Sequence, residues 1–361
     1  MKRTIALKLN IIEEEYQFLC EMQTTFAMAC QFVSQNSEEK NRIRLHHDVY
    51  RSARKTIPQI GSQMVCNAIA KVSACRKALR KAKTLEFKQA TSVHYDKRTY
   101  SLKNGILSLF TLQGRKQFSF QIGPFQEKYL EQGIIKEAEL IRRGKRFFFN
   151  LVLDLPDPPT KPTGKIVAVD FGENTIAATS EGKLYGGGLL KSRRDQFLGC
   201  RKRLQSKGSQ SSIQRLRQIS GREKRHVKYV NHCIAKDIVE EAHNKGASMI
   251  VLEDLKNIRI RIKAGKKLRS RLHRWPFSQL RLFVEYKAQA KGIQVICVHP
   301  AYTSQTCSTC LQLGERDKHR FSCQNCGSLS HSDLNASQNL LRLGLTAVGS
   351  TGAVNSRHVA I

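Results

Sequence analysis

The chain of 361 residues has few acidic side chains: 29 Asp and Glu stand against 62 Lys and Arg, a formal net charge of +33. It also has no apolar run near the roughly 20 residues that a membrane-spanning helix needs, and Met1 does not lead into the apolar core of a secretory signal. These absences argue against a membrane protein, a secreted protein and an enzyme for small acidic metabolites. They favour a cytosolic protein that binds nucleic acid.

Hydrophobic periodicity divides the first part of the chain into a strand-rich domain with a helical insertion. Residues 1–12 and 92–158 alternate as strands do, and Asn104–Gly105 is a strong two-residue hairpin signal. Residues 13–91 have helical spacing instead. We therefore predict a small β-barrel that a helical lobe interrupts. A proline-rich linker follows at 157–162.

After the linker the pattern predicts three strands, a helix, a strand, a helix, a strand, an interruption and a final helix. This order is the one expected of an RNase H-like domain, here split between residues 163–302 and 331–345. Residues 303–330 would form the inserted segment, and 346–361, small and polar, predict a flexible tail. The predicted fold class is α/β plus β.

Three acidic residues lie at the ends of these predicted elements, where an RNase H-like sheet would bring them together. Asp170 and Glu253 each end an apolar strand, and Asp333 opens the last helix. Carboxylates a few ångströms apart repel one another unless a cation lies between them, so the trio predicts Mg²⁺ or Mn²⁺, as two ions. Such a pair can activate water and stabilise the leaving 3′-oxygen of a phosphodiester. Two alternatives stay open: Asp254 in place of Glu253, and Asp333 as only a helix N-cap.

Four of the eleven cysteines form two Cys-x2-Cys pairs separated by twelve residues, which is the spacing of a four-thiolate zinc site. The predicted ligands are Cys307, Cys310, Cys323 and Cys326. Four thiolates leave no open coordination position, so this zinc would be structural, contributing on the order of 10 kcal/mol to folding. A redox role is the weaker alternative. His319 and His331 lie near, but as zinc ligands they would be surplus.

Several specific motifs occur in a recognisable order. They are Val169-Asp170-Phe171-Gly172, Leu252-Glu253-Asp254-Leu255, the stretch 300–307, and Asp333-Leu334-Asn335-Ala336. Together they resemble the TnpB (OrfB) family of transposon-encoded RNA-guided DNA nucleases, which are related to type V CRISPR effectors. The match covers roughly residues 165–343. The chain departs from the family pattern at Leu311, where Gly is common, and at His331–Ser332, where Arg often precedes the acid.

The resemblance implies a split RuvC nuclease domain with Asp170, Glu253 and Asp333 as catalytic acids and a zinc ribbon inserted into it. It implies that the barrel is a wedge domain and the helical insertion a recognition lobe. The implied partners are a guide RNA from the transposon end and double-stranded target DNA, cleaved beside a short adjacent motif. Such a protein acts in the prokaryotic cytosol or nucleoid. Because all three acids are present, we expect a cleaving enzyme.

Basic residues cluster in the helical lobe and on both sides of Glu253, and we expect them to bind phosphates of the nucleic acid. Such binding should weaken steeply as the salt concentration rises, and it should recognise the shape and backbone of the nucleic acid rather than the edges of its bases. The alternative for any such cluster is a solvated surface. The predicted contacts are Arg76, Arg80, Arg193, Arg194, Arg201, Lys202, Arg203, Arg222, Lys224, Arg225, Lys266, Lys267, Arg269 and Arg271.

Other functions remain open at this stage. An RNase H-like transposase or recombinase could use the same acids for strand transfer, or Tyr302 or Ser304 could attack DNA directly. Cys297 with His299 could mimic a thiol dyad, although the apolar strand around Cys297 favours a buried inert thiol. A non-cleaving RNA-guided DNA-binding repressor would keep the acids for structural reasons.

Overall fold

The computed structural model describes residues 1–79, 85–161, 163–255, 277–299 and 303–349. The chain divides into two units, Met1–Pro156 and Asp157–Ile361. In the part of the chain so described, no helix has both the length and the apolar character that crossing a membrane requires.

Alternating apolar residues in the first unit form a seven-stranded, antiparallel, barrel-like sheet. Its strands are β1 (Lys2–Asn10), β2 (Val93–Tyr95), β3 (Tyr100–Lys103), β4 (Ile106–Thr111), β5 (Gly114–Gln121), β6 (Ile134–Arg143) and β7 (Arg146–Asp154), in the order β2-β6-β7-β1-β5-β4-β3. β1 pairs with β5 and β7 and buries Ile5, Leu7 and Leu9. Asn104 and Gly105 both have positive φ, the conformation that a two-residue hairpin turn requires.

Helices occupy two connections of this unit. They are α1 (Glu13–Asn36), α2 (Arg42–Thr56) and α3 (Ser62–Ala78) between β1 and β2, and α4 (Pro124–Gln132) between β5 and β6. α1 buries Leu19, Met22 and Phe26 in the core shared with the sheet. The sequence pattern did not predict α4, because the helix has only nine residues and its apolar side chains, such as Tyr129 and Leu130, are only partly buried against the core.

The second unit contains a five-stranded mixed sheet. Its strands are β8 (Lys165–Asp170), β9 (Thr175–Thr179), β10 (Leu184–Gly186), β11 (Ala247–Glu253) and β12 (Gln294–Val298), in the order β10-β9-β8-β11-β12. β8 to β10 are antiparallel neighbours, whereas β8, β11 and β12 run parallel. Within the described residues of this unit the helices are α5 (Gly188–Lys207), α6 (Gln210–Ile219), α7 (Arg222–Asn244), α8 (Phe277–Gln289) and α9 (Ser332–Gly349).

Helices cover both faces of this sheet. α7 and α8 pack on one face around Ile234, Ile238 and Phe283, and α9 packs on the other through Leu340. The approach of α9 is close: a Cβ on Gly344 would lie 2.4 Å from Cγ2 of Val251. Only glycine permits this contact, which helps to hold α9 against β11.

The end of α9 corrects one prediction. Residues 346–349, expected to begin a flexible tail, are still helical. Within this last turn the hydroxyl of Thr346 is satisfied by the carbonyl oxygens of Arg342 and Leu343.

A third, small sheet lies between β12 and α9. It consists of β13 (Glu315–Asp317), β14 (Arg320–Ser322) and β15 (Leu329–His331), paired antiparallel in that order. Its buried core is only Cys307, Phe321 and Cys323, with Cys310 partly buried against them. A core of this size is too small to stabilise an independent fold, so the segment depends on a cross-link or a metal.

Candidate active site and metal centres

Two of the predicted acids meet at the carboxyl ends of adjacent parallel strands. β8 pairs with β11 so that Val169 lies beside Leu252, and Asp170 and Glu253 follow at the same edge. Their carboxyl groups share a hydrogen bond. Burial, together with the charge of Asp333, raises the pKa of Asp170 to about 7. Burial and the charge of Asp170 raise the pKa of Glu253 to about 8, so this edge is short of positive charge.

The third predicted acid reaches the same region from α9. Asp333 is 4% exposed, and it lies close enough to Asp170 to affect the pKa of that carboxyl. Its Oδ1 accepts a hydrogen bond from Nη2 of Arg316 at 2.8 Å. Because α9 begins at Ser332, Asp333 lies within the first turn and not at the N-cap position.

Arg316 is a site residue that the sequence analysis missed. It lies on β13, where its exposed neighbours gave no periodic signal, and its ion pair with Asp333 depends on the packing of the small sheet against α9. Arg316 also lies close enough to lower the pKa of Asp170, although burial outweighs this effect. A guanidinium beside Asp333 and Asp170 can offset their repulsion and can contact a phosphate.

The competing acid Asp254 points to a different partner. Its Oδ1 lies 3.1 Å from Nη1 of Arg281 on α8, and Arg281 also pairs with Glu285 at 2.7 Å. The backbone amide of Asp254 donates to the carbonyl oxygen of Val298. These contacts direct Asp254 toward α8, whereas Glu253 faces Asp170.

The four predicted zinc ligands come together in the small sheet, with their sulfur atoms within 4.8 Å of one another. The sulfurs of Cys307 and Cys326 are 3.6 Å apart, and those of Cys310 and Cys323 are 3.5 Å apart. A tetrahedral zinc with bonds of about 2.3 Å places its sulfurs about 3.8 Å apart, so the arrangement fits the metal. A hydrogen bond from the Asn325 side chain lowers the pKa of Cys310 to about 6. Despite a backbone hydrogen bond from Ser328, hydrogen bonds with the other three cysteines raise the pKa of Cys326 to about 12, as expected when four close sulfur atoms compete for protons.

The first cysteine pair is tied directly to the helix that carries Asp333. Asn335 donates to the carbonyl oxygen of Thr306 at 2.7 Å and accepts from the amide of Ser308 at 2.8 Å. Asn339, one turn further along α9, also donates to Thr306 at 2.7 Å. The position of Asp333 is thus coupled to the fold of the cysteine segment.

Arg76 does not present its charge to nucleic acid, which corrects that prediction. The residue is 2% exposed. Its guanidinium donates to the carbonyl oxygens of Ser34, Ser37 and Glu39, which close the connection between α1 and α2. Arg76 therefore satisfies buried backbone groups from α3 and has a structural role.

Replacing Arg76 with Leu should lower the free energy of unfolding by about 2–4 kcal/mol, because one buried and two partly buried carbonyl groups lose their donor. Urea unfolding measures this change. Lys77→Ala, one residue further along and exposed, is the matched control and should stay within about 0.5 kcal/mol. Equal stability of both variants, with RNA binding lost only in Arg76→Leu, would restore the original assignment.

The basic residues on α5 and α7 differ in their surroundings. Arg194 pairs with Glu223 at 3.3 Å, and Arg201 contacts the other oxygen of the same carboxylate. The remaining predicted contacts on these helices are exposed. They are Arg193, Lys202, Arg203, Arg222, Lys224 and Arg225. This surface, together with Arg194 and Arg201, stays the predicted phosphate-binding region.

The other predicted contacts lie outside the described residues. They are Arg80, Lys266, Lys267, Arg269 and Arg271. Tyr302, considered above as a nucleophile, also lies outside them.

Two family models match separate parts of the chain. The OrfB_IS605 model, described as a probable transposase, matches residues 150–259, and the model of the Cas12f1-like TNB domain matches residues 277–340. The first match includes Asp170 and Glu253, and the second includes all four cysteines and Asp333.

Solved structures and curated relatives agree with these matches. A Cas12f1 in complex with single-guide RNA and target DNA has a TM-score of 0.63 at 15% identity, covering 91% of this chain and 83% of its own, so the two share a fold. The CRISPR-associated endodeoxyribonuclease Cas12f1 of Sulfoacidibacillus thermotolerans is 37% identical over 113 residues, which are 30% of this chain and 25% of that protein.

The family follows from a longer alignment. A TnpB-like protein of Methanocaldococcus jannaschii is 30% identical over 241 residues, which cover 61% of this chain and 84% of that relative. The chain belongs to the TnpB family.

Proposed function

We propose that this protein is an RNA-guided DNA endonuclease that cleaves target DNA beside a short adjacent motif. The observation that carries the proposal is the approach of Asp170, Glu253 and Asp333, from three separate elements, to one edge of a mixed sheet. The relatives described above include a CRISPR-associated endodeoxyribonuclease and a structure that holds guide RNA and target DNA. The source of the guide would be the transposon end.

In this proposal the five-stranded sheet is an RNase H-like RuvC domain, and its acids hold Mg²⁺ or Mn²⁺ as a pair. The donor set fits these hard cations, since it supplies carboxylate oxygens, and the raised pKa values of Asp170 and Glu253 mark a deficit of positive charge. The metals would supply activation of water and stabilisation of the leaving oxygen. Asp170 and Glu253 would hold these ions from the sheet, and Asp333 would hold them from α9.

The remaining parts serve binding in the same proposal. Structural zinc at the four cysteines holds the ribbon, residues 303–330, beside Asp333. Residues 1–12 and 92–158 form the wedge domain, and 13–91 form the recognition lobe. The exposed basic residues of α5 and α7 follow the phosphate backbone, so affinity for RNA and DNA falls steeply as salt rises.

Purification of the full chain with co-expressed transposon-end sequence, followed by sequencing of the bound RNA, tests the proposal. We expect one discrete RNA and Mg²⁺-dependent cutting of plasmids that carry the matching target beside varied flanking sequence. A preparation without discrete RNA, or cutting that ignores the guide, would contradict it.

Strand transfer is the second candidate, because the OrfB_IS605 model is described as a probable transposase and RNase H-like folds also support that reaction. The same plasmid assay distinguishes the two. Hydrolysis leaves ends with free 3′-hydroxyl groups, whereas strand transfer joins a donor end to the target.

The raised pKa values predict how metal binding depends on pH. Below about pH 7 the carboxyls of Asp170 and Glu253 retain protons, which a cation must displace. Mg²⁺ affinity should therefore rise between pH 6 and pH 8.5 (roughly the interval that brackets both groups). Isothermal titration calorimetry at each pH measures this affinity.

The metal-free protein should show the opposite trend in stability. The folded state holds more protons than the unfolded state between the ordinary carboxyl pKa and about 8, so stability falls as pH rises through that interval. The double variant Asp170→Asn, Glu253→Gln supplies the baseline and should lose this component. An unchanged slope in the double variant would contradict the assignment.

A further inference from the structure

Two histidines lie beside Asp333, apart from the cysteine cluster. His319 follows β13 in the turn to β14, His331 ends β15, and Asp333 stands in the first turn of α9. One ligand atom of each lies within 4.8 Å of the others. The two imidazole rings stack with centroids 5.2 Å apart. Three elements thus contribute two imidazoles and a carboxylate to one spot.

The two oxygens of Asp333 have different neighbours. Oδ1 accepts from Arg316, as described above, whereas Oδ2 faces Nδ1 of His319 at 3.9 Å and Nδ1 of His331 at 4.0 Å. A tetrahedral zinc with bonds of about 2.0–2.2 Å places its ligand atoms about 3.4 Å apart, so each imidazole nitrogen would need to move about half an ångström toward Oδ2. The ion pair with Arg316 can persist on Oδ1.

The solvent exposure of the two histidine side chains is consistent with a site that exchanges its metal. His319 is half exposed and His331 is a quarter exposed, whereas Asp333 is buried, so an ion would enter from the side of the imidazoles. Backbone contacts fix the geometry, because the amide of Ser332 donates to the carbonyl oxygen of His319 and its hydroxyl donates to that of Lys318.

We propose that His319, His331 and Asp333 form a second transition-metal site, specific for ions such as Zn²⁺ that prefer imidazole, and that its occupation inhibits cleavage. Two imidazoles and one carboxylate with an open position are a ligand set of exchangeable zinc sites. Inhibition rests on the proposed function: zinc on Oδ2 withdraws Asp333 from the metals that it shares with Asp170.

Two local features weaken this site relative to the cysteine cluster. The charge of Arg316 opposes a cation, and Nδ1 of His331 accepts a hydrogen bond of 3.3 Å from the amide of Asp333, which zinc must displace. Both lower the affinity without removing a ligand. The site would therefore fill only after the four cysteines are saturated, and free zinc would set its occupancy.

Metal counting on the full chain, with its bound RNA, tests the site directly. We expect two zinc ions per wild-type chain at saturation, and one in His319→Gln or His331→Gln. Co²⁺ added to protein whose cysteines already hold zinc should give ligand-field bands without thiolate charge transfer. His47→Gln, an exposed histidine on α2, is the matched control and should still bind two ions.

The proposed inhibition by zinc can be tested without a cleavage assay, by measuring the loss of bound Mn²⁺. Zinc should displace Mn²⁺ from the wild-type protein, and electron paramagnetic resonance measures the Mn²⁺ that is released. Each histidine variant should need at least about tenfold more zinc to release the same amount of Mn²⁺. A single zinc per wild-type chain, or unchanged binding in both variants, overturns the site. A second zinc that releases no Mn²⁺ overturns the inhibition. Release of Mn²⁺ by a protein that never cuts DNA supports this site and counts against the proposed nuclease instead.

Discussion

Glu253→Gln will lower the rate of DNA cleavage by about 10³-fold or more, whereas Asp254→Asn will leave it within about fivefold. The glutamine keeps the size of the side chain but cannot supply the anionic oxygen that a catalytic metal needs, a loss of several kcal/mol at about 1.4 kcal/mol per factor of ten. The asparagine side chain in Asp254→Asn would keep an acceptor for Arg281, and the lost ion pair contributes about 1 kcal/mol or less.

The comparison is informative because the two acids are consecutive, but Glu253 faces Asp170 whereas Asp254 pairs with Arg281. Both variants should retain the guide RNA and bind target DNA as wild type does, measured by gel shift at the same salt concentration. Single-turnover cleavage at saturating Mg²⁺ then isolates the chemical step. Loss of cleavage in Asp254→Asn with retention in Glu253→Gln would reverse the two assignments.

The sequence predicts the strands of the five-stranded sheet in the second unit, together with α7, α8 and α9, because each is encoded locally. It misses α5 and α6, because these basic helices bury only three residues between them and so lack an apolar stripe. Apolar strands ending in Asp170 and Glu253, and two Cys-x2-Cys pairs, are patterns within a few residues. The parallel pairing of β8 with β11 then follows from the order of elements. Whether these acids catalyse cleavage remains a prediction.

Contacts between distant segments escaped the sequence analysis. Arg316 meets Asp333, and the imidazoles of His319 and His331 turn toward the same carboxylate, only because the small sheet packs against the start of α9. No periodicity marks such a contact, since these residues lie in short strands and turns. The charged neighbours of the acids could therefore be identified only from the three-dimensional structure.

Arg76 shows a different kind of error. Its place at the start of a basic run suggested a surface charge, but it follows Val72 by four residues and so lies on the buried face of α3. The helical spacing indicated correctly that Arg76 is buried, but the basic composition of the segment was given more weight in the prediction. The error matters because a buried arginine with three carbonyl partners stabilises the fold, whereas an exposed one would bind phosphate.

Loss of the zinc ribbon is expected to disable the acidic site from a distance. Cys323→Ser removes one of four ligands from a segment whose buried core is only Cys307, Phe321 and Cys323. Zinc contributes on the order of 10 kcal/mol to such folds, so the segment should unfold when the metal leaves. Asn335 and Asp333 then lose the partners that hold the start of α9, and we expect cleavage to fall by at least about 100-fold.

Cys233→Ser, at an exposed position on α7, is the matched control and should keep both zinc and activity. Elemental analysis gives the metal content, and limited proteolysis reports unfolding between residues 303 and 331. Because the first unit has its own core, protease resistance of Met1–Pro156 should persist in Cys323→Ser, which separates local unfolding from global loss of structure. A zinc-free variant that cleaves DNA at the wild-type rate would show that Asp333 keeps its position without the ribbon, and the contacts of Asn335 would then be unnecessary for catalysis.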